Sequence, residues 1–287
     1  MADADRFRTD AEVQWCPGCP NFSILKAFCS ALERLEVEPH RLCLVSGIGQ
    51  AAKLPHYVKA NFFNGLHGRA LPVATAIAAA NPGLTTVVVS GEGDCYGEGG
   101  NHFLHALRRN PNLTMVVHDN RIYALTKGQG SPTTPRGEPR SIQFQGTEAD
   151  PLNPLGIAVL HGCTFVARGF AADPDHLTDL LVQAIQHPGF SVVDVIQPCI
   201  TWDRHPVGWY KERVVKLGAD HDPGNPEAAL ARTREWGDRL PIGVLYRANP
   251  RPTFGSRFRE EISDRPLAEL PPLGAEAIGE IFEGFRP

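Results

Sequence analysis

Neither sign of charge dominates this chain: 28 Lys and Arg stand against 32 Asp and Glu over 287 residues, a net of −4. Without a basic surplus to neutralise phosphates, a nucleic-acid partner is disfavoured. Long apolar runs are missing too. The longest nearly apolar stretches, Ala70 to Ala80 and Val87 to Val89 with its flanks, fall well short of the ~18 residues of a membrane span. The first residues, Met1-Ala-Asp-Ala-Asp-Arg-Phe-Arg8, contain no apolar signal core, so a cytoplasmic address is expected. Seven cysteines, an odd number without a secretion signal, argue against a disulfide framework and for metal or redox use of some of them.

What is present is an ordinary globular composition, 42% apolar and 21% charged, which excludes disorder, collagen and a disulfide-stapled miniprotein. The length allows one large α/β domain or two smaller ones. From Phe22, apolar residues recur at Leu25, Phe28, Cys29, Leu32 and Leu35, the stripe of a helix, with Asn21 where an N-cap would sit. Leu42 to Val45 reads as a buried strand ending in Ser46-Gly-Ile-Gly49, and Leu71 to Ala80 as a small-residue helix. Thr85 to Ser90 is a β-branched run of the kind covered on both faces. A helix over His102 to Arg109, strand Thr114 to His118, helix Asp175 to His187 and strand Phe190 to Ile196 follow. The alternation implies a doubly wound, mostly parallel sheet.

Residues 128–155 are rich in Gly, Pro, Ser and Thr, and a loop of that length is usually functional or contacts a partner. Beyond about Trp202 the chain is punctuated by Pro and Arg, apart from a helix near Pro226 to Trp236. Two units are expected: a binding domain over 10–204, including the Cys-x-x-Cys loop, and an extension over 205–287 packing on the core or a partner.

Parallel strands present their C-terminal ends at one edge, where ligands of open α/β sheets bind. Here those ends carry Gly91-Glu-Gly-Asp94 and Asp119-Asn120. Glycines let backbone amides approach a phosphate, and a carboxylate with an amide oxygen suits magnesium. A lone Gly-x-Gly is more often a plain turn; the order strand, turn, helix, strand, Asn shifts the balance. In Cys16-Pro-Gly-Cys19 two thiolates on a tight turn could serve one iron–sulfur cluster or zinc. Cys29, Cys43, Cys95 and Cys163 read as small buried hydrophobes. Arg108-Arg109 reads as a charge pair at a helix C-terminus, and His102 and His105 as packing residues.

Taken with Gly99-Gly-Asn-His102, Asn120-Arg-Ile-Tyr123, Thr126-Lys-Gly-Gln129, Ser131-Pro-Thr-Thr-Pro135, Leu66-His-Gly-Arg-Ala-Leu-Pro-Val-Ala74 and Pro241-Ile-Gly-Val-Leu-Tyr-Arg247, these motifs give a chain that resembles the thiamine-diphosphate-binding β subunits of 2-oxoacid:ferredoxin oxidoreductases, pyruvate or 2-oxoglutarate type. The resemblance runs from about residue 12 to 250. It implies oxidative decarboxylation of a 2-oxoacid to acyl-coenzyme A and carbon dioxide, with electrons passing through a 4Fe-4S cluster to ferredoxin. It also implies a heterodimer whose α subunit carries the pyrimidine-binding domain.

By the same resemblance, Gly47, Ile48, Gly49, Gly91, Glu92, Gly93, Asp94, Asn120, Ile122 and Tyr123 bind the cofactor. Glu92, Asn120 and the Ile122 carbonyl hold magnesium, and His67, Lys53 and Arg69 lie near cofactor or substrate as catalytic candidates. Cys16, Cys19 and Cys199 ligate the cluster. Two departures stand out: Glu92 replaces the family's Asp, and Gln50 stands where the family has the third of its four cysteines, a hard oxygen where a soft thiolate belongs. They leave two rivals open: a non-oxidative thiamine-dependent decarboxylase or carboligase without the cluster, and a non-catalytic assembly subunit.

Overall fold

In the computed structural model, residues 4–256, 259 and 265–286 are described. The order of elements is α1 (Asn21–Arg34), β1 (Leu42–Ser46), β2 (Asn61–Asn64), α2 (Ala70–Ala80), β3 (Thr85–Gly91), α3 (Gly100–Arg109), β4 (Leu113–Asp119), the small hairpin β5 (Ile122–Tyr123) and β6 (Gln129–Gly130), α4 (Pro154–Leu160), β7 (Phe165–Phe170), α5 (Pro174–Gln186), β8 (Phe190–Ile196), α6 (Val207–Lys211), β9 (Val214–Lys216), α7 (Pro226–Arg234), β10 (Leu240–Arg247) and α8 (Ala275–Glu283).

Eight of the strands form one sheet in the order β2-β1-β3-β4-β8-β7-β10-β9. Its pairings are parallel except that of β10 with β7. Burial on both faces explains the β-branched runs. Val87 and Val89 of β3 join Phe28, Leu32 and Leu177 on the α1 and α5 side. Val88 joins Ala74, Phe103 and Leu107 on the α2 and α3 side. Alternate residues of one strand thus feed two apolar layers.

The boundary expected at residue 204 is not an edge of this sheet, because β9 and β10 complete it beyond β7. Asn21 does not cap α1. The N-cap is Pro20, and the Asn21 side chain is buried with its Oδ1 2.8 Å from Nδ1 of His118 on β4. Cys29, Cys43, Cys95 and Cys163 are buried, as expected. Among the described residues no helix is long and apolar enough to cross a membrane.

Candidate functional site

From β1 the chain runs outward to β2, then returns through α2 to β3 on the other side of β1. The loops after β1 and β3 therefore diverge, leaving a crevice at the C-terminal edge of the kind that binds ligands in doubly wound sheets. A cleft of about 120 Å³ occupies it, lined by Ile48 and Gln50 after β1, Glu92 after β3, Asn120 and Tyr123 after β4, and Gln197 after β8, among others.

Two oxygens converge at its base. The Ile122 amide donates to Glu92 Oε1 at 3.0 Å and to Asn120 Oδ1 at 2.9 Å. The Ile122 carbonyl accepts from the Ala124 amide at 2.8 Å, and a carbonyl oxygen has a second lone pair. Glu92 is buried, and its carboxyl is pushed up to about 8, by burial first and by the charge of Asp119 second. A carboxylate so placed lacks a counter-cation, and the nearby oxygens are hard donors of the type magnesium takes. The donor set fits the ion.

Asp94, two residues on, has a different task. Its carboxylate accepts from the Gly68 amide at 2.7 Å and the Ile48 amide at 3.2 Å, lies 2.7 Å from His67 Nδ1, and takes the Ser90 hydroxyl. It ties the loops after β1 and β2 to the turn after β3. Glycine is required around it, since a Cβ on Gly47 would run into this carboxylate and one on Gly93 into the Tyr123 ring. Gly49, at φ +115° with open space where a Cβ would stand, leaves room on the cleft wall.

Of the three catalytic candidates, only His67 lines the cleft. Lys53 Nζ donates to the Gln14 carbonyl at 3.0 Å, and Arg69 Nη1 lies 2.7 Å from His102 Nε2. Gly47 stands just behind the lining residues, against Asp94.

A second cavity of about 100 Å³ is lined by Trp15, Cys16, Cys19, Cys199 and Gln50, among others. The tight turn predicted at Cys16-Pro-Gly-Cys19 is there, closed by the Cys19 amide on the Cys16 carbonyl at 3.0 Å. Burial raises the Cys19 thiol to about 11, with Cys199 and Cys16 adding to the effect. The Gln197 amide donates to Cys19 Sγ at 3.8 Å and the Thr201 hydroxyl to Cys16 Sγ at 3.6 Å. Gln50 Oε1 is buried and has no hydrogen-bond partner among the described residues. Among those residues no three His, Cys, Asp or Glu side chains converge as they would on a single metal ion. A cluster differs in taking its ligands around a volume, one per iron. Three sulfurs and an unspent amide oxygen around one cavity fit that arrangement.

The two cavities share a wall: Gln50, Asn120, Ala124 and Gln197 line both. Gln197 escaped the sequence reading, although its place directly after β8 puts it on the ligand edge. His118 escaped it too. It is buried on the cleft wall, its Nε2 has no partner among the described residues, and burial lowers its imidazole to about 3, so it is neutral.

Comparison with known proteins supplies independent findings. Residues 46–195 match the thiamine pyrophosphate enzyme C-terminal binding domain, and residues 199–261 match the C-terminal part of the pyruvate ferredoxin oxidoreductase beta subunit. The chain is 43% identical to 2-oxoacid:ferredoxin oxidoreductase subunit beta of Saccharolobus solfataricus over 94% of this chain and 92% of that one. It is 40% identical to subunit beta of the Aeropyrum pernix 2-oxoacid:ferredoxin oxidoreductase 1, over 97% and 95%. The solved 2-oxoglutarate:ferredoxin oxidoreductase from Magnetococcus marinus, with 2-oxoglutarate, coenzyme A and succinyl-CoA bound, superposes with a TM-score of 0.89 at 33% identity, covering 99% of this chain and 96% of that one.

Proposed function

The chain belongs to the β subunits of the thiamine-diphosphate-dependent 2-oxoacid:ferredoxin oxidoreductases, and from that premise we propose that it holds the diphosphate end of the cofactor through magnesium and an iron–sulfur cluster directly beside it. The observation that carries this reading is the shared wall, Gln50, Asn120, Ala124 and Gln197, between the cleft and the three-cysteine cavity.

Thiamine diphosphate supplies the electron sink that lets carbon dioxide leave a 2-oxoacid. The chain's own groups position and exclude. Glu92, Asn120 and the Ile122 carbonyl would hold the ion, while Gly91, Gly93 and the Gly47-Ile48-Gly49 turn let backbone approach the diphosphate. His67 Nδ1 donates to Asp94, which leaves Nε2 as the nitrogen that can take or give a proton at the cleft. Lys53 and Arg69, outside the lining, would act as rim cations for an anionic substrate. Tyr123 and the buried neutral His118 close the wall without adding charge.

Cys16, Cys19 and Cys199, with Gln50 as the fourth side chain, would carry the cluster that passes electrons to ferredoxin. The α subunit that a β subunit implies would supply the pyrimidine-binding half, and coenzyme A would take the acyl group. The test is co-expression with that α subunit. The anaerobically purified complex should reduce a viologen or ferredoxin when given a 2-oxoacid and coenzyme A, and should contain iron, while the chain alone should be inactive. Turnover by the isolated chain, or decarboxylation by an iron-free complex, would overturn the assignment.

A further inference from the structure

Behind the turn that carries Asn120 and Ile122 lies a separate cavity of about 230 Å³, lined by Arg121, Arg168, Arg234, Trp236, Asp119 and Asp194 together with Thr133 and residues 151–155. None of these side chains lines the cofactor cleft. Arg121, at φ +59° in the left-handed region, directs its guanidinium here. The backbone conformation is held by two contacts: the Arg121 amide donates to Asp119 Oδ1 at 3.0 Å, and the Thr134 hydroxyl donates to the Arg121 carbonyl at 2.6 Å.

The guanidinium itself is unspent. Its Cζ lies over the Trp236 ring, 3.2 Å from the ring centre, and the side chain donates no hydrogen bond to any described residue. Its Nε is fully buried without a partner among the described residues. A cation removed from water with its donors unpaired is costly, and stacking serves only the face of the plane, leaving the N–H edge for a ligand.

Two more cations border the same space. Arg168, buried, hydrogen-bonds to the carbonyls of Thr233 at 3.2 Å and of Glu235 and Pro241 at 3.5 Å, and its Cζ lies 5.8 Å from the Trp236 ring centre. Arg234 is exposed at the mouth and has no hydrogen-bond or ion-pair partner among the described residues. One oxygen of each opposing carboxylate is engaged. Asp119 Oδ1 accepts both the Arg121 amide and the Thr133 hydroxyl, at 2.9 Å for the latter, and Asp194 Oδ2 accepts from the Tyr96 hydroxyl at 3.0 Å. Three arginines against two aspartates border the cavity, so its lining carries an excess of positive charge.

We propose that this cavity is a second binding site of the subunit, taking a small oxyanion, a carboxylate or a phosphate, on the N–H edge of Arg121 with Arg234 at its mouth. Planar oxyanions match a guanidinium fork bidentately. The site goes beyond the function proposed above and does not depend on the cluster or on the metal.

The experiment uses the complex with its α subunit, saturated with thiamine diphosphate and magnesium so that the diphosphate position is filled. Potassium phosphate and potassium succinate are titrated in separate arms against chloride at constant ionic strength, reading calorimetric heat and tryptophan fluorescence. At least one anion is expected to bind saturably, and the better of the two names the natural chemistry. Trp236→Phe should retain the heat and lose the fluorescence change. Arg121→Gln should weaken binding about tenfold or more, the worth of a charged hydrogen-bonded contact. If Arg121→Gln does not fold, Arg234→Gln decides: a solvent-facing cation should contribute roughly two- to fivefold. No saturable binding of either anion, or binding unchanged in whichever of these two variants folds, would overturn the proposal.

Discussion

Glu92 Oε1 and Asn120 Oδ1 share one amide hydrogen, that of Ile122, so oxygens from the ends of two different strands meet at a single point. The neighbouring acid Asp94, by contrast, has its carboxylate already committed to Gly68, Ile48, Ser90 and His67. The two acids of the turn therefore answer differently to mutation.

Glu92→Gln keeps an oxygen for the Ile122 amide but removes the charge. Magnesium affinity of the assembled complex should fall by about a hundredfold or more, since losing one partner of a buried charge pair costs about 3 kcal/mol. Glu92→Asp should be tolerated. Asp94→Ala should instead lower the melting temperature, because it frees the loops after β1 and β2. Calorimetric titration and thermal melts on the same preparations separate the two acids; equal magnesium affinity in wild type and Glu92→Gln would move the metal elsewhere.

Gly93→Ala tests the close approach of the turn to Tyr123. With a methyl group driven into the ring, the ring must rotate into the cleft or the turn must shift. Thiamine diphosphate affinity is expected to fall about fivefold to a hundredfold, in line with the 1 to 3 kcal/mol cost of overpacking. Gly100→Ala, where a Cβ meets nothing within 4 Å, is the matched control and should be neutral.

At Gln50 the expected gain is in iron. Gln50→Cys supplies a soft anionic ligand at the position whose oxygen is buried and unpaired among the described residues, so the proposed cluster should survive oxygen and chelators longer and its reduction potential should fall as the site becomes more negative. Iron and sulfide analysis with electron paramagnetic resonance on anaerobic complexes measures both effects. Cys16→Ala, Cys19→Ala and Cys199→Ala should each lose iron; retention in all three would refute the ligand assignment.

Asp194 sets a pH dependence of stability. Its folded carboxyl lies at about 8 against an ordinary value of 3.8, so between these two values the folded state holds a proton that the unfolded chain releases. Stability must then fall as pH rises through that window, by at most ~1.4 kcal/mol per pH unit. Asp194→Asn keeps an acceptor for Tyr96 and should flatten the slope between pH ~5 and ~8. Urea midpoints of the complex across that range provide the measurement, and parallel slopes would show that Asp194 is ionised in the fold.

Much of this was legible beforehand where the signal is local. The β-branched run at Thr85 and the apolar spacing from Phe22 gave their elements to within a residue or two, and the glycine turns marked the ligand edge. What escaped depends on pairing across distance. β2 is an exposed edge strand with two asparagines, so its composition says loop. Asn21 looks like a cap until His118, 97 residues later in the chain, claims its side chain. Nothing in the sequence near Trp236 announces that it covers Arg121, because a stack between a late loop and a strand end has no periodicity to betray it.

That stack also has a meaning for synthesis. Chains emerge from the ribosome amino end first, and Trp236 and β10 follow every cofactor-facing residue by dozens of positions. Arg121 therefore meets its cover, and β7 its antiparallel neighbour, only after β8 and the cysteine motifs have already been made. A nascent chain paused after β8 would display the glycine turns, the cysteine pair and Cys199 on an unfinished sheet, with the flank of the Asn120 turn open to solvent.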